Sequence, residues 1–164
     1  MTDLHPFVRS LYGLAEREDR AALAKLRRSL VQPLAAMPYV APYLRREATA
    51  NEERAYSLVA GLFAIHPTAG HQTLAVALRM LSDRSDSVAL RFRALLDAAS
   101  DDVGDHLRHA VSLVRGADIA IDFNDLFWTV LTWNREDQRA QRAWARQFWA
   151  ATEAPDTLNT ENAK

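Results

Sequence analysis

Apolar residues recur every three or four positions along nearly the whole chain, and proline or glycine breaks the rhythm often enough to permit only helices of modest length. Phe7, Leu11 and Leu14 predict a helix starting near Asp3, and Leu23, Leu26 and Leu30 predict another starting around Glu16–Asp19. Pro33, Pro38 and Pro42 make the next stretch a loop with short helical pieces at most. Asn51-Glu52-Glu53 reads as a helix start, because acids favour the positive end of the helix dipole; Pro67 and Gly70 close that helix after His66. A further helix is expected over roughly Gln72–Leu81, and Ser85 or Ser87 caps one carrying Val88, Phe92, Leu95 and Ala99. Asp101 or Asp102 opens the next, which buries Val103, Leu107, Val111 and Val114 and ends at Gly116. Asp122 caps a helix with Leu126, Phe127, Val130 and Leu131, and the last starts at Asn134 or Asp137 with Ala140, Trp144 and Phe148 inward. Ile119–Ile121 is the one strand-like fragment, too short to found a sheet, and no βαβ pattern is present. The expected fold is all-α, a helical bundle of about eight or nine helices without a sheet.

The length of 164 residues suits one helical domain over 1–152, with possible sub-lobes 1–84 and 85–152. Residues 153–164 lose aromatics and gain Thr, Asn and Glu, which predicts a disordered tail. The absence of cysteine excludes disulfides, thiolate metal sites and cysteine nucleophiles. No signal pattern opens the chain, and no apolar run approaches the roughly 20 residues of a membrane span, so a soluble cytoplasmic protein without membrane partners is expected.

Enzymatic chemistry finds little material. The Gly-x-Ser-x-Gly elbow, the Walker A loop and the GxGxxG turn are all missing, and five glycines leave little backbone for a phosphate cradle. Asp102, Asp105, His106 and His109 have metal-ligand spacing, but no second pair completes a shell, and ordinary helix-start acids with surface histidines explain them as well. No metal, no cofactor and no catalytic residue are expected. His66 and His71, flanking a Pro-Thr-Ala-Gly turn, read as loop residues.

Of 20 cationic side chains only Lys25 and Lys164 are lysines. A codon bias toward arginine would give the same totals, so position is the stronger argument. Net charge is −1, yet Arg20–Arg46 holds six cations and no acids, while Asp101–Asp125 holds six acids against Arg108 and Arg115. Such sorting can present a basic groove on a neutral chain, because the local field attracts phosphate. Arg135, Arg139, Arg142 and Arg146 would stack as one stripe if all lay on a helix, and like charges so stacked repel unless something anionic lies along them. Lys25, Arg27 and Arg28 cover a wide arc of the second helix, and Arg84/Arg91 and Arg108/Arg115 are pairs seven apart. Flanking arginines also snorkel over core edges. Their repetition across four helices points to an anion-binding surface, for which arginine's planar fork suits phosphate better than lysine's point charge. Phe127, Trp144 and Phe148 read as core; for Trp133 and Trp149, base stacking and a partner interface both stand.

Several stretches carry a resemblance: "RAALAKLRRS" (Arg20–Ser29), "AYSLVAGLFAIHP", "SVALRFRALLDA" (Ser87–Ala98), "HLRHAVSLVRGADIAIDFNDLFWTVLTW" (His106–Trp133) and "RAWARQFW" (Arg142–Trp149). In order and spacing, over about residues 5–150, the chain resembles the CasB family, the small subunit of the type I-E CRISPR surveillance complex, Cascade. The resemblance implies an all-helical, two-lobed, non-catalytic subunit, present as two copies beside the other Cascade subunits. It further implies contact with the crRNA–target duplex backbone and stabilisation of the displaced non-target strand of the R-loop. Arg27 and Arg28 match the family's early basic pair, Arg91 the arginine before the aromatic of its "RF" motif, Arg108 that of "HLR", and Arg135 the basic position after the Trp-bearing helix; Arg142 matches more loosely. Together with Lys25, Arg115 and Arg139 these form the expected nucleic-acid-binding set. The family often carries more lysine and a net positive charge, whereas this chain is near neutral. The alternative is a helical protein–protein adaptor whose arginines meet acidic partners.

Overall fold

The computed structural model describes residues 3–150, so the tail expected at 153–164 lies outside the described residues. Helix α1 spans Pro6–Glu16, α2 Arg20–Arg28, α3 Met37–Val40, α4 Ala50–Ile65, α5 Leu74–Ser82, α6 Asp86–Leu96, α7 Val103–Gly116, α8 Phe123–Leu131 and α9 Arg139–Trp149. The proline-rich stretch is short helical pieces: 3-10 turns at Pro33–Ala36 and Ala41–Tyr43 flank the single turn of α3.

Local chemistry sets most of the starts. Asp19 Oδ1 accepts from Ala22 N at 3.0 Å, Thr49 Oγ1 from Glu52 N at 3.2 Å, and Thr73 Oγ1 from Val76 N at 3.2 Å. Asp122 Oδ1 accepts from the amides of Asn124 and Asp125, at 2.8 and 3.2 Å. Each such cap contributes about 1 kcal/mol by satisfying amides the helix leaves unpaired. Thr49 is thus the cap of α4, two residues before the expected Asn51. The last helix also starts later than the spacing of arginines suggests. Gln138 sits in the left-handed region (φ 51°) and α9 begins only at Arg139, which leaves Arg135 in the preceding turn.

Helix α4 organises the packing. Val59, Ala60, Leu62 and Phe63 are fully buried, an apolar distribution round the helix that only a central element can bury. α2, α3, α7 and α8 pack on it, and α1 packs on α2 and α8. A second group forms where α5 packs on α6, α7 and α9, and α6 packs on α7. The division expected at 84/85 runs between α5 and α6, which pack on each other, while α8 from the later half packs on α4. A single continuous core runs through both groups.

Two glycines permit close crossings. A Cβ on Gly61 would lie 2.6 Å from Leu30 Cδ2, so the Leu30 side chain, just past α2, packs directly on the backbone of α4. A Cβ on Gly70 would lie 2.5 Å from the Ala120 carbonyl oxygen and 2.7 Å from Ile121 N, leaving no room at all. Around this second crossing the loop after α4 is stitched to the loop before α8. Gly70 N donates to Ile121 O at 2.9 Å, and Asp122 N donates to Gln72 O at 2.7 Å, forming an isolated parallel bridge between Gln72 and Ile121. His66, expected to be a loop residue, is buried and its Nε2 lies 2.8 Å from Ile119 O; a carbonyl only accepts, so Nε2 carries the proton. The fragment Ile119–Ile121 therefore makes a bridge but no strand. No sheet forms among the described residues.

Candidate nucleic-acid interface

The last turn of α2 presents Lys25, Arg27 and Arg28 to solvent. Ala22 and Leu26 hold the opposite side of α2 in the core, and Ser29 Oγ donates to Leu26 O at 2.5 Å beside the Ser57 carbonyl, 3.2 Å away. These cations also complement the negative end of their own helix, which accounts for part of their placement.

On α7 the buried residues are Val103, Leu107, Ala110, Val111 and Val114. Arg108 and Arg115 lie one and three turns beyond Gly104 on the same flank, and a Cβ on Gly104 would face Leu58 of α4. Ser29 and Leu30, just past α2, line a common cleft with Leu58, Asp101 and Gly104. The chain just past α2 and the start of α7 thus border one cleft on α4, in which Arg54 pairs with Asp101. His106 and His109 face the other way, into a groove between α6 and α7 that Arg91 also lines. Arg91 is consequently separated from Arg108 and Arg115 by the width of α7.

Arg139 and Arg142, followed by Arg146, are exposed on α9, opposite the buried Gln141, Trp144 and Phe148. Asp125 Oδ2 accepts from Trp144 Nε1 at 3.1 Å, and Gln141 Nε2 donates to Trp133 O at 2.7 Å, so this helix is rigidly seated. Burial pushes the Asp125 carboxyl above its ordinary range, partly countered by the Trp144 hydrogen bond. The expected four-arginine stripe is a three-arginine stripe, because Arg135 precedes the helix. Arg135 instead pairs with Asp137 at 3.1 Å; that hydrogen bond holds the Asp137 carboxyl below its usual range and raises the Arg135 guanidinium. Asp137 Oδ1 also accepts from Arg139 N at 3.2 Å, which fixes the turn into α9. Arg84 likewise precedes its helix, so Arg84 and Arg91 do not share a face.

Ion pairing decides which cations are available. Among the described residues the salt bridges are Arg45–Glu52, Arg54–Asp101 and Arg135–Asp137. Lys25, Arg27, Arg28, Arg91, Arg108, Arg115, Arg139 and Arg142 are all exposed, with no described carboxylate within 4.0 Å. Cations held on rigid helices without partners of their own are suited to phosphate.

The aromatics sort cleanly. Trp133 is core, 4 % exposed, with Nε1 donating to Ala98 O at 3.2 Å; Trp149 is 48 % exposed, with the Arg93 guanidinium 5.8 Å from its ring. Trp128, one of the aromatics crowding the C-terminal third, is 43 % exposed, and Arg93 was not legible because it neither breaks nor extends an apolar stripe. Asp102, Asp105, His106 and His109 do not converge, and no metal-holding cluster of three such groups exists among the described residues. No helix there is long and apolar enough to cross a membrane.

This arrangement of helices is that of the CasB proteins. It superimposes on a crystal structure of a Cse2-family protein from Thermus thermophilus with a TM-score of 0.78 and 36 % identity, covering 90 % of this chain and 100 % of that one. A crystal structure of M. ruber CasB gives 0.75 and 31 %, covering 93 % and 95 %. A chain of a CRISPR RNA-guided surveillance complex gives 0.70 and 26 %, covering 94 % of each. In sequence, the CRISPR-associated protein Cse2 of Thermus thermophilus is 42 % identical over 139 residues, 80 % of each chain. The family model of CRISPR-associated protein Cse2 matches residues 22–149, and the chain belongs to that family.

Proposed function

We propose that this protein is a non-catalytic small subunit of a type I-E RNA-guided CRISPR surveillance complex, Cascade, serving antiviral defence. It works beside the other subunits and a second copy of itself, in the cytoplasm. Its arginine faces touch the backbone of the crRNA–target duplex and steady the displaced DNA strand of the R-loop. Family membership and the likeness to a chain of a surveillance complex support the setting. The observation that carries the molecular reading is the set of exposed cations at the end of α2, on one flank of α7 and along α9, none within 4.0 Å of a carboxylate among the described residues. R-loop formation exchanges one duplex for another at nearly balanced free energy, so sequence-blind backbone contacts can tip it. With a net charge of −1, the isolated chain has little long-range pull on nucleic acid. The arginines act where the assembly brings phosphate to them.

The test replaces Arg27, Arg28 and Arg108 by alanine in a reconstituted complex and measures target binding over a range of salt. All three side chains are exposed, so folding is retained, and the subunit content of the variant complex is measured alongside. Each lost contact flattens the dependence of log K on log salt by about 0.9 for duplex phosphates or about 0.7 for single strands. The triple variant therefore loses about two to three units of slope if every contact is real. Arg135→Ala, already satisfied by Asp137, changes the slope less than Arg108→Ala. An intact complex whose affinity and salt slope ignore the triple substitution refutes the reading. It would favour an adaptor without a direct nucleic-acid role, for which Val31 and Leu34, 75 % and 76 % exposed beyond α2, offer an apolar contact.

A further inference from the structure

The groove between α6 and α7 has a composition that the phosphate reading does not use. Its volume is about 270 Å³, and its floor is Leu78 of α5, Val88, Phe92 and Leu95 of α6, and Ala110 and Leu113 of α7. Arg91, His106 and His109 stand along its rim, and no carboxylate of the described residues lines it. Asp86 lines a separate groove toward α9, while the exposed Asp102 and Asp105 lie one turn before His106 and His109 on α7, outside the lining of the groove. Arg91 has no described carboxylate within 4.0 Å.

Size and lining select the occupant. The volume lies below the roughly 300–1,000 Å³ of pockets for drug-sized ligands, so it suits one or two side chains rather than a cofactor. A nucleobase would look for an aromatic face, but Phe92 is 1 % exposed and already stacked on Phe148 at 4.2 Å between centroids. Stacking, the main gain when bases enter protein sites, is therefore missing. An aliphatic floor beneath an uncompensated guanidinium and two imidazoles fits a bulky apolar side chain flanked by carboxylates. We infer that the α6–α7 groove docks an acidic segment of a partner protein, inserting a leucine or phenylalanine between Leu95 and Leu113 while its carboxylates meet Arg91 and His109. This assignment takes Arg91 out of the phosphate-contacting set and stands independently of the rest of that set.

The experiment titrates the isotopically labelled full-length protein with the peptide Ac-Glu-Leu-Phe-Glu-NH2 and follows backbone amides by NMR. Saturable shifts confined to α5, α6 and α7 are expected, with a Kd at or below about 1 mM. The lysine-flanked counterpart, Ac-Lys-Leu-Phe-Lys-NH2, is expected to bind on the order of tenfold more weakly, and Arg91→Glu to reverse that preference. Arg91 is exposed, so the variant folds. The inference is overturned if no saturable shifts occur in these helices, if both peptides act alike on the parent protein, or if an oligothymidylate moves the same amides more strongly than the acidic peptide does. None of these readouts depends on R-loop formation.

Discussion

Replacing Gly70 by alanine tests whether the two loops that cross at this point are as tightly joined as their geometry states. The added Cβ would sit 2.5 Å from the Ala120 carbonyl oxygen and 2.7 Å from Ile121 N, both main-chain atoms without a rotamer to change. Reaching ordinary van der Waals contact requires a displacement of about 1 Å, since such contacts begin near 3.5 Å. That movement disturbs two hydrogen bonds, Gly70 N to Ile121 O at 2.9 Å and Asp122 N to Gln72 O at 2.7 Å. Each contributes about 0.5–1.5 kcal/mol net, and forced overpacking adds about 1–3 kcal/mol. The expected loss is about 3 kcal/mol or more, a large share of the 5–15 kcal/mol typical of a folded domain. Urea unfolding followed by circular dichroism reads it directly as a lowered midpoint. Gly116→Ala is the control: no atom lies within 4 Å of its would-be Cβ, and that residue ends α7. It should be neutral or stabilising by up to about 1 kcal/mol, as alanine loses less backbone freedom on folding. A Gly70→Ala protein within about 0.5 kcal/mol of the parent, indistinguishable from the control, would refute the reasoning.

Two further outcomes follow from the core. Asp125→Asn keeps an acceptor for Trp144 Nε1 while removing a carboxyl whose ionised form is disfavoured by burial. A carboxyl raised above its unfolded value favours the fold at low pH and loses that contribution as pH rises through its folded value. The variant should therefore gain on the parent near pH 7, and the gain should shrink as pH falls through the carboxylate range, in paired urea titrations; a constant difference would contradict it. Phe92→Ala removes a ring that is 1 % exposed and stacked on Phe148, and should cost about 3–5 kcal/mol, visible as a fall in thermal midpoint.

Helices were legible because their signal is local. The stripe Phe7, Leu11, Leu14, the start by Asp19 and the cap Asp122 lie within a few residues of the elements they define. Of the two starts expected for α9, Asp137 lies one residue before the left-handed Gln138 that caps it, while Asn134 and Arg135, despite the helical spacing of Arg135 and Arg139, stay in the preceding turn. Which helices touch was beyond the pattern. That α8 returns to α4, or that Gly70 must admit Ala120, depends on residues far apart in the chain. The same limit applies to the cations. Sequence could nominate Arg91 beside Arg108, but only the rotation of α7 in its packed position puts them on opposite flanks. The pairing of Arg135 with Asp137, by contrast, was two residues away and readable.

The stitched loops constrain how chain length can vary among relatives of this protein. Because residues 66–72 and 119–122 are bonded to each other at three points, the launch directions of α5 and α8 are locked together. An extra residue in either loop would shift the register of both helices at once, whereas the exposed run from Arg45 to Glu47, beyond the packed Tyr43 and Leu44, can absorb length. Insertions that survive selection should accumulate in the latter and be missing from the former.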